Sequence, residues 1–262
     1  MRICLDGRMS AEASVVALGM FDGVHIGHQV LLKKARSIAD NLNVPMVVQT
    51  FSQHPLCLLA PDRCPPLLTT LNERVRLMDA QGVDILCAQP FTEAMRDMLP
   101  EEFVGRLVRQ WRPKAVVVGY NYSFGSHGAG NPVLLHALGD ALGFETHVVP
   151  EIRMDGKAVS ATRIRMMLAQ GNIAQARKML GRPYRLQVEV TNRVDTICKL
   201  SCVDHGKQEL NEGRYRALLG CERHEIPVVV TVNGKGAMIC ALPSAVELGN
   251  ELSMRFIAED VR

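Results

Sequence analysis

Residues 14–28 read SVVALGMFDGVHIGH, and this stretch decides the fold that we expect for the chain. Ser14 to Gly19 is a short apolar run typical of a buried strand, and a helical apolar pattern follows from about His28 to Asn41. Three glycines and two histidines lie in the connection. Glycine allows a tight turn and a close approach to a ligand, and the N–H groups at the start of a helix attract anions. The stretch therefore predicts a strand–turn–helix unit that binds phosphate.

The alternation of strand-like and helix-like patterns continues to about residue 183. Further strands are predicted at 44–51, 84–91, 114–121 and 145–152, and further helices at 71–82, 99–111, 131–143, 160–171 and 173–181. Such alternation predicts βαβ units, and therefore an α/β fold with a Rossmann-like parallel sheet and helices on both faces. Ligands bind to such sheets beyond the carboxyl ends of the strands.

The pattern changes after Pro183, where helical periodicity gives way to short strands separated by turns. Strand patterns occur at 185–192, 196–203, 213–220, 225–242 and 252–260. Within the fourth of these, Asn233-Gly234 is a hairpin signal. We therefore expect two domains, residues 1–183 and residues 184–262, of which the second is a small all-β domain.

Composition and charge exclude several classes of protein. The chain is 47% hydrophobic and 22% charged, with a net charge of +3, which is the balance of an ordinary globular protein rather than of a nucleic-acid binder. No stretch reaches the roughly 18 to 20 apolar residues that a membrane span needs, and the first residues lack the apolar core of a secretory signal. We therefore expect a cytoplasmic protein with neither nucleic acid nor membrane as a partner.

Eight cysteines raise the question of disulfides or a metal site. A zinc site is one alternative, and its four candidate ligands are Cys198, Cys202, Cys221 and His224. Cys198 and Cys202 fall on one face of a predicted strand, together with an apolar residue, which favours buried thiols. The chain contains no C-x-x-C pair, and a reducing compartment disfavours disulfides. We therefore expect buried, inert thiols and no metal held by the protein itself.

The decapeptide from Gly19 to His28 resembles the signature G-x-F-D-G-V-H-x-G-H of the HxGH nucleotidyltransferase superfamily. The longer form GMFDGVHIGHQVLL resembles the FAD synthetase branch, which is the N-terminal half of bacterial bifunctional riboflavin kinase/FAD synthetases. Four other segments resemble that family in order and spacing: TFSQHP (50–55), LPEEFV (99–104), VVVGYNYSFGSHGAGN (116–131) and VSATRIRMMLAQGNIAQARKMLGRPY (159–184). The resemblance spans about residues 14–186. It implies an FMN adenylyltransferase that makes FAD and pyrophosphate from ATP and FMN, with Mg²⁺ accompanying the ATP.

The resemblance also assigns roles to individual residues. Catalytic contacts with the ATP phosphates fall to His25, His28 and Arg165. The remaining ATP-binding positions are Gly19, Phe21, Gly27, Ser160 and Thr162. The FMN-binding positions are Phe51, His54, Asn121 and Phe124. Plainer readings stay open for some of them: Phe51 and Phe124 as core residues, His54 as a turn residue before Pro55, and the neighbouring Arg163 as a solvated helix residue.

Two departures from the family pattern affect the expected function. Ala161 replaces the second serine of the family's S-S-T, which removes one hydroxyl from the phosphate site. The P-T-A-N motif of the riboflavin kinase module does not occur after Tyr184, so we expect kinase activity to be absent. The all-β domain would then be a shortened kinase barrel that gives structural support or a dimer contact, and a homo-oligomer is one expectation. Two alternatives stay open: an adenylyl- or cytidylyltransferase with another acceptor, and a non-catalytic flavin-nucleotide binder.

Overall fold

The computed structural model describes residues 1–204, 206–221, 224–233, 237–242 and 252–260. The chain divides into two compact units. The first consists of Met1–Pro65 and Leu71–Gly156, and the second of Pro66–Thr70 and Lys157–Arg262. Among the described residues, no helix is both long enough and apolar enough to cross a bilayer.

The first unit is built on a parallel sheet of six strands. The strands of this sheet are β1 (Arg2–Cys4), β2 (Ser14–Leu18), β3 (Met46–Phe51), β4 (Ile85–Gln89), β5 (Pro113–Gly119) and β6 (Glu145–Val149). The short strand β7 (Arg153–Met154) follows them in the chain and is not one of the six. Its helices are α1 (Ile26–Leu42), α2 (Leu56–Leu59), α3 (Leu71–Asp79), α4 (Glu93–Asp97), α5 (Pro100–Trp111) and α6 (Pro132–Leu142). The strands lie in the order β1-β4-β3-β2-β5-β6, and every pairing is parallel. The α/β fold is thus confirmed.

Alternate residues of the central strands supply two separate cores, one on each face of the sheet. Val15 and Ala17 of β2 pack in one core, where α1 contributes residues such as Leu32. Val16 and Leu18 pack in the other, to which α5 and α6 contribute residues such as Leu107 and Leu135. Side chains alternate between the faces of a strand, so the apolar runs of β2, β3 and β5 fill both cores. This arrangement explains why these strands carry runs of successive apolar residues rather than a strict alternation of apolar and polar residues.

The sheet reverses its direction of winding at β2. From β2 the chain adds β3 and β4 on one side, and then crosses over to place β5 and β6 on the other side. Loops that leave the carboxyl ends of β2 and β5 therefore turn away from each other and open a crevice between them. Gly19 follows β2, and β5 ends at Gly119, so both residues lie at this crevice.

The second unit contains a closed antiparallel barrel. Its elements are β8 (Lys157–Ala158), α7 (Ala161–Ala169), α8 (Ile173–Leu180), β9 (Tyr184–Val194), β10 (Ile197–Cys202), β11 (Gly213–Cys221), β12 (His224–Val232), β13 (Met238–Ala241) and β14 (Leu252–Glu259). The barrel order is β10-β13-β12-β11-β14-β9. Strands β12 and β13 pair antiparallel as the hairpin signal predicts, with Val232 opposite Met238, but turn residues 234–236 lie outside the described residues. The expected all-β C-terminal part is confirmed.

The compact units do not divide where the sequence pattern changes. Strand β9, with which the barrel begins, starts at Tyr184, just after the predicted boundary at 183, but the units separate between Gly156 and Lys157. The reason is packing, because α8 lies against β9 and β14 and α7 lies against α8. The two helices therefore group with the barrel, and a domain boundary at 183 stays a prediction from the change of pattern.

The prediction of reduced, buried thiols is wrong for one pair of cysteines. Cys57 and Cys64 form a disulfide, with their Cα atoms 4.5 Å apart. They lie seven residues apart on either side of a turn, so local chain geometry brings them together without a C-x-x-C pattern. The prediction of burial is confirmed for Cys4, Cys87, Cys198 and Cys240, whereas Cys202 is half-buried.

Candidate active site

The two histidines of the glycine-rich connection lie at the start of α1. Residue His25 is the N-cap of the helix, and its Nδ1 accepts a hydrogen bond from the backbone N–H of His28 at 3.3 Å. The rings of the two residues stack with centroids 3.6 Å apart. The helix thus begins at Ile26, two residues before the predicted start, because the His25 side chain caps it. Since Nδ1 accepts, the ring proton of neutral His25 lies on Nε2.

Close packing explains why Gly19 and Gly27 flank the loop. A Cβ atom at Gly19 would lie 3.2 Å from the Phe21 ring, and one at Gly27 would lie 3.2 Å from the ring of His25. Phe21 is completely buried in the core, and its backbone has a left-handed φ of 52°. Its ring meets His28 edge-on at 5.2 Å. The buried Phe21 ring therefore packs against His28 and helps to hold the histidine pair in place.

A pocket of about 440 Å³ opens at the crevice where the sheet reverses. Six of the residues that the family resemblance singles out line it together: Gly19, Phe21, His28, Phe51, Asn121 and Phe124. They come from the end of β3, from the segments that follow β2 and β5, and from the first turn of α1; the three strands are distant in sequence and adjacent in the sheet. His25, Gly27 and His54 are not among the lining residues.

Aromatic side chains are concentrated at this pocket. The chain has only seven phenylalanines and four tyrosines, yet five phenylalanines and one tyrosine line this one cavity. They are Phe21, Phe51, Phe91, Phe103, Tyr122 and Phe124. Phe51 meets Phe91 edge-on at 5.1 Å, and Phe124 lies between Phe103 and Tyr122 at 5.4 Å and 5.8 Å. Walls of this kind suit a flat, largely apolar ring system.

The turn after β5 presents Asn121 at the mouth of the pocket. The Tyr122 N–H donates to Gly119 O at 3.0 Å, which closes the turn and leaves Asn121 exposed at its tip. Tyr122 itself lies deeper, and burial raises the pKa of its hydroxyl. Phe124 is 6% exposed and exchanges two backbone hydrogen bonds with Gly130. Phe124 is therefore both a core residue and part of the wall, so its two readings are compatible.

Arg74 is a central residue of this region that the sequence did not reveal. It lies on α3 and is only 1% exposed, and its guanidinium donates to the carbonyls of Met20, Phe51 and Ser52 at 3.3, 2.8 and 2.8 Å. Burial lowers the pKa of Arg74, and nearby Asp22 opposes that shift. Arg74 thereby joins the loop after β2 to the end of β3. In a single sequence an arginine on an amphipathic helix predicts exposure, so no signal marked it.

Thr50 reinforces the same junction. Its hydroxyl donates to Met20 O at 2.9 Å, the carbonyl that Arg74 also contacts.

His54 follows at the beginning of α2, where its Nδ1 accepts from the Leu56 N–H at 3.2 Å and its carbonyl accepts from the Cys57 N–H. His54 therefore has the hydrogen bonds of a residue that starts a short helix, in keeping with its reading as a turn residue before Pro55.

The second unit holds the other residues to which the resemblance gives a role. Ser160 is the N-cap of α7, and its hydroxyl accepts from the Arg163 N–H at 3.2 Å. Thr162 is exposed in the first turn. Arg165 is half-buried, and its Nε donates to Pro66 O. Arg163, expected to be a solvated helix residue, is half-buried on α7, and its guanidinium donates to the carbonyls of Lys157 and Ala158.

No cluster of protein ligands for a metal ion is found among the described residues. No three histidine, cysteine, aspartate or glutamate side chains of that part of the chain gather closely enough to hold one. Of the four zinc candidates, Cys198 is buried in the barrel and the Cys221 side chain lies outside the described residues.

Comparisons with known proteins bear on the same segments. A family model described as FAD synthetase matches residues 8–163. A bifunctional riboflavin kinase/FMN adenylyltransferase from Listeria monocytogenes is 34% identical over 171 residues, which cover 65% of this chain and 54% of that protein. The Escherichia coli K12 protein of the same name is 32% identical over 182 residues, which cover 69% of this chain and 58% of that protein. The match thus spans little more than half the length of these relatives.

A solved structure agrees along nearly the whole chain. The crystal structure titled macrolide-efflux protein from Streptococcus pneumoniae superimposes with a TM-score of 0.87 and covers 99% of this chain and 90% of its own. At 24% identity it supports the fold alone. The family match includes the histidine loop, the strand ends and the whole pocket lining. The chain belongs to the FAD synthetase family.

Proposed function

We propose that the protein is an FMN adenylyltransferase, which transfers AMP from ATP to the phosphate of FMN and releases pyrophosphate. The observation that carries this proposal is one pocket with two chemically different parts. Aromatic side chains such as Phe51 and Phe124 form one part, and His28 at the beginning of α1 marks the other. A flavin mononucleotide has the same two parts, namely a flat ring system and a phosphate.

The proposed reaction needs little acid–base catalysis. An oxygen of the FMN phosphate attacks the α-phosphorus of ATP in line, a P–O bond forms, and the bond to the leaving pyrophosphate breaks. The nucleophile is already an anion at neutral pH, so no general base is needed. The protein must supply positioning and neutralisation of negative charge. A helix start with two imidazoles meets both needs, because helix N–H groups and ring N–H groups donate to phosphate oxygens.

The geometry of the histidine pair supports a donor role for His25. Its Nδ1 is engaged by the backbone of His28, so its remaining ring nitrogen carries the proton and can donate. His25 is only 6% exposed, and its stacking on His28 fixes both rings. Rings held in this way need no reordering when charge develops on the phosphate oxygens.

Magnesium is proposed to arrive with the ATP. The ion would be bound chiefly by triphosphate oxygens and water. Mg²⁺ would supply charge neutralisation on the phosphates. In the second unit we propose that Ser160, Thr162 and Arg165 contact ATP phosphates, and this proposal rests on the family pattern of their helix.

Chromatography of reaction mixtures tests the proposal. The protein is incubated with ATP, Mg²⁺ and either FMN or riboflavin, and FAD and pyrophosphate are measured. We expect FAD from FMN and no FMN from riboflavin. FMN binding without pyrophosphate release would instead identify a non-catalytic flavin-nucleotide binder. Turnover with CTP or with another phosphate acceptor, and none with FMN, would identify a different transferase of the superfamily.

A further inference from the structure

The wall of the aromatic pocket includes a short segment closed by a disulfide. We call residues 55–64 the wall segment; it contains α2 and a 3-10 turn at Pro61–Arg63. The bond between Cys57 and Cys64 joins the first turn of α2 to the end of this segment. Their Cα separation of 4.5 Å lies in the range that disulfides require.

The wall segment is held largely by local contacts. None of its residues is buried, and its backbone hydrogen bonds include those from Ala60 N to Leu56 O and from Cys64 N to Pro61 O. Segments with few buried contacts open more easily than the core. The disulfide is thus a major restraint on the segment. Because Pro55 and Leu59 line the pocket, the restraint acts directly on the ligand wall.

Most of the other described thiols are less accessible than this pair. Four of the five are buried, and Cys202 is half-buried. Burial raises the pKa of Cys87 to about 12 and that of Cys240 to about 11, so neither forms a reactive thiolate readily. Cys64 is exposed and Cys57 is half-buried. In a reducing compartment a bond between such residues is more often a transient, redox-sensing one than a permanent structural one.

We propose that Cys57 and Cys64 are a reversible thiol–disulfide pair, and that its oxidation orders the wall segment and tightens binding in the aromatic pocket. The identity of the ligand, FMN, rests on the proposed function. The redox behaviour of the pair and the order of the segment do not.

The oxidant in this proposal is a low-molecular-weight disulfide such as oxidised glutathione. The exposed Cys64 thiolate attacks it, forms a mixed disulfide and releases one thiolate. The Cys57 thiolate then attacks the Cys64 sulfur, forms the intramolecular bond and releases the second thiolate. Two protein thiols are oxidised, one small disulfide is reduced to two thiols, and the two protein protons pass to the released thiolates.

The first experiment measures the pair without any flavin. The full chain is equilibrated in glutathione buffers of graded ratio, quenched by alkylation and analysed by mass spectrometry. Samples of each form are treated briefly with trypsin, and cleavage is followed at the exposed Arg63, which lies inside the disulfide loop. We expect the bond to form and break across the series and the Arg63–Cys64 peptide bond to be cut about tenfold more slowly in the oxidised form. A pair that stays reduced throughout, or equal cleavage of both forms, would overturn the proposal.

The second experiment measures FMN binding by fluorescence quenching in the oxidised and reduced protein. We expect a Kd about fivefold lower in the oxidised form, since an ordered wall loses less freedom on binding. The double variant Cys57→Ser/Cys64→Ser is the control and should match the reduced protein under both conditions. Equal Kd values for the two forms would reject control of the pocket by the pair. If neither form bound FMN, the proposed function would fail, and the tryptic result would still decide the redox pair.

Discussion

The ring of His28 stacks on the ring of His25 at 3.6 Å, while the backbone N–H of His28 donates to Nδ1 of the same His25 ring. The two histidines of the signature are therefore not equivalent. His25 is 6% exposed and holds the helix start, whereas His28 lines the pocket. Because His25 caps the helix and His28 lines the pocket, substitutions can separate an effect on helix capping from an effect on phosphate contacts.

Substitution His28→Ala should remove a phosphate contact and leave the cap intact, since the cap uses only the backbone of residue 28. We expect turnover to fall on the order of 10²-fold, as it does when one donor to a developing oxyanion is lost. Steady-state FAD formation measures this effect. Near-normal turnover in a correctly folded variant would remove His28 from the mechanism.

Substitution His25→Asn should keep the cap and remove the Nε2–H donor, because the N–H groups of the shorter amide do not reach the position of Nε2. An asparagine oxygen can accept from the helix start as Nδ1 does, whereas His25→Ala offers no acceptor. We expect His25→Ala to unfold about 1 kcal/mol more easily than His25→Asn in urea. Both variants should show similarly low turnover. If His25→Asn were fully active, the ring of His25 would be only a cap.

Substitution Gly27→Ala tests the tight packing beside the histidine pair. The added methyl group would lie 3.2 Å from the His25 ring, which is buried and stacked and so resists displacement. We expect FAD formation to fall on the order of tenfold through loss of donor positioning. The control is Gly105→Ala on α5, where the new methyl group meets only the flexible end of Arg109. That variant should gain up to about 1 kcal/mol of stability and keep full activity.

Substitution Arg74→Met tests the junction between the loop after β2 and the end of β3. The apolar side chain would remove the donor that the carbonyls of Phe51 and Ser52 now have in Arg74, whereas Met20 O would keep the hydroxyl of Thr50. We expect a loss of about 3 kcal/mol of unfolding free energy in urea and a raised KM for FMN. Arg74→Lys should recover part of the lost unfolding free energy and bring the KM for FMN part of the way back. Arg76→Met, on the exposed side of α3, should change neither the unfolding free energy nor the KM. Equal effects at positions 74 and 76 would contradict the role of Arg74.

Asp84 should make the stability of the first unit depend on acid pH. Partial burial alone raises the pKa of Asp84, but hydrogen bonds from the Met46 N–H and Arg36 outweigh it, so the pKa lies below the usual value. Its folded-state pKa is thus depressed relative to the unfolded chain. The stability that the Asp84 carboxylate contributes is therefore fully present above its unfolded-state pKa. That stability is lost as the pH falls through its folded-state pKa.

The acid dependence is measured by urea unfolding between pH 6 and the lowest pH at which the fold persists. We expect Asp84→Asn to be less stable than the parent at pH 6 and to lose less stability on acidification. The exposed Asp62→Asn is the matched control and should follow the parent curve. Parallel curves for the parent and Asp84→Asn would show that the carboxylate contributes nothing to the pH dependence.

The periodicity of the sequence predicted the elements of the fold well. Buried strands such as β3 and β5 carry continuous apolar runs, and helices such as α5 and α6 begin at proline after a turn. These signals are local, since each arises from residues within one or two turns of each other. The short β1, α2 and α4 were missed, because three to five residues are too few for a period to appear.

The candidate site was only partly predictable. The motif placed His25 and His28 correctly at the beginning of a helix, because capping and glycine turns are local properties. The aromatic wall and the junction made by Arg74 depend on strands that are neighbours in the sheet and far apart in sequence. No local pattern encodes which strand ends meet.

The sequence by itself thus determined the α/β class, the β-rich C-terminal part and a helix that starts at the paired histidines, since short-range periodicity, turns and caps dictate these features. Only the tertiary structure showed that Phe91, Phe103 and Tyr122 join, around the pocket, the aromatic residues to which the motifs assign a role, that Arg74 is buried, and that Cys57 meets Cys64. The physical reason is that these contacts follow from strand order and from the packing of loops at the sheet reversal, which long-range burial selects and no run of neighbouring residues specifies.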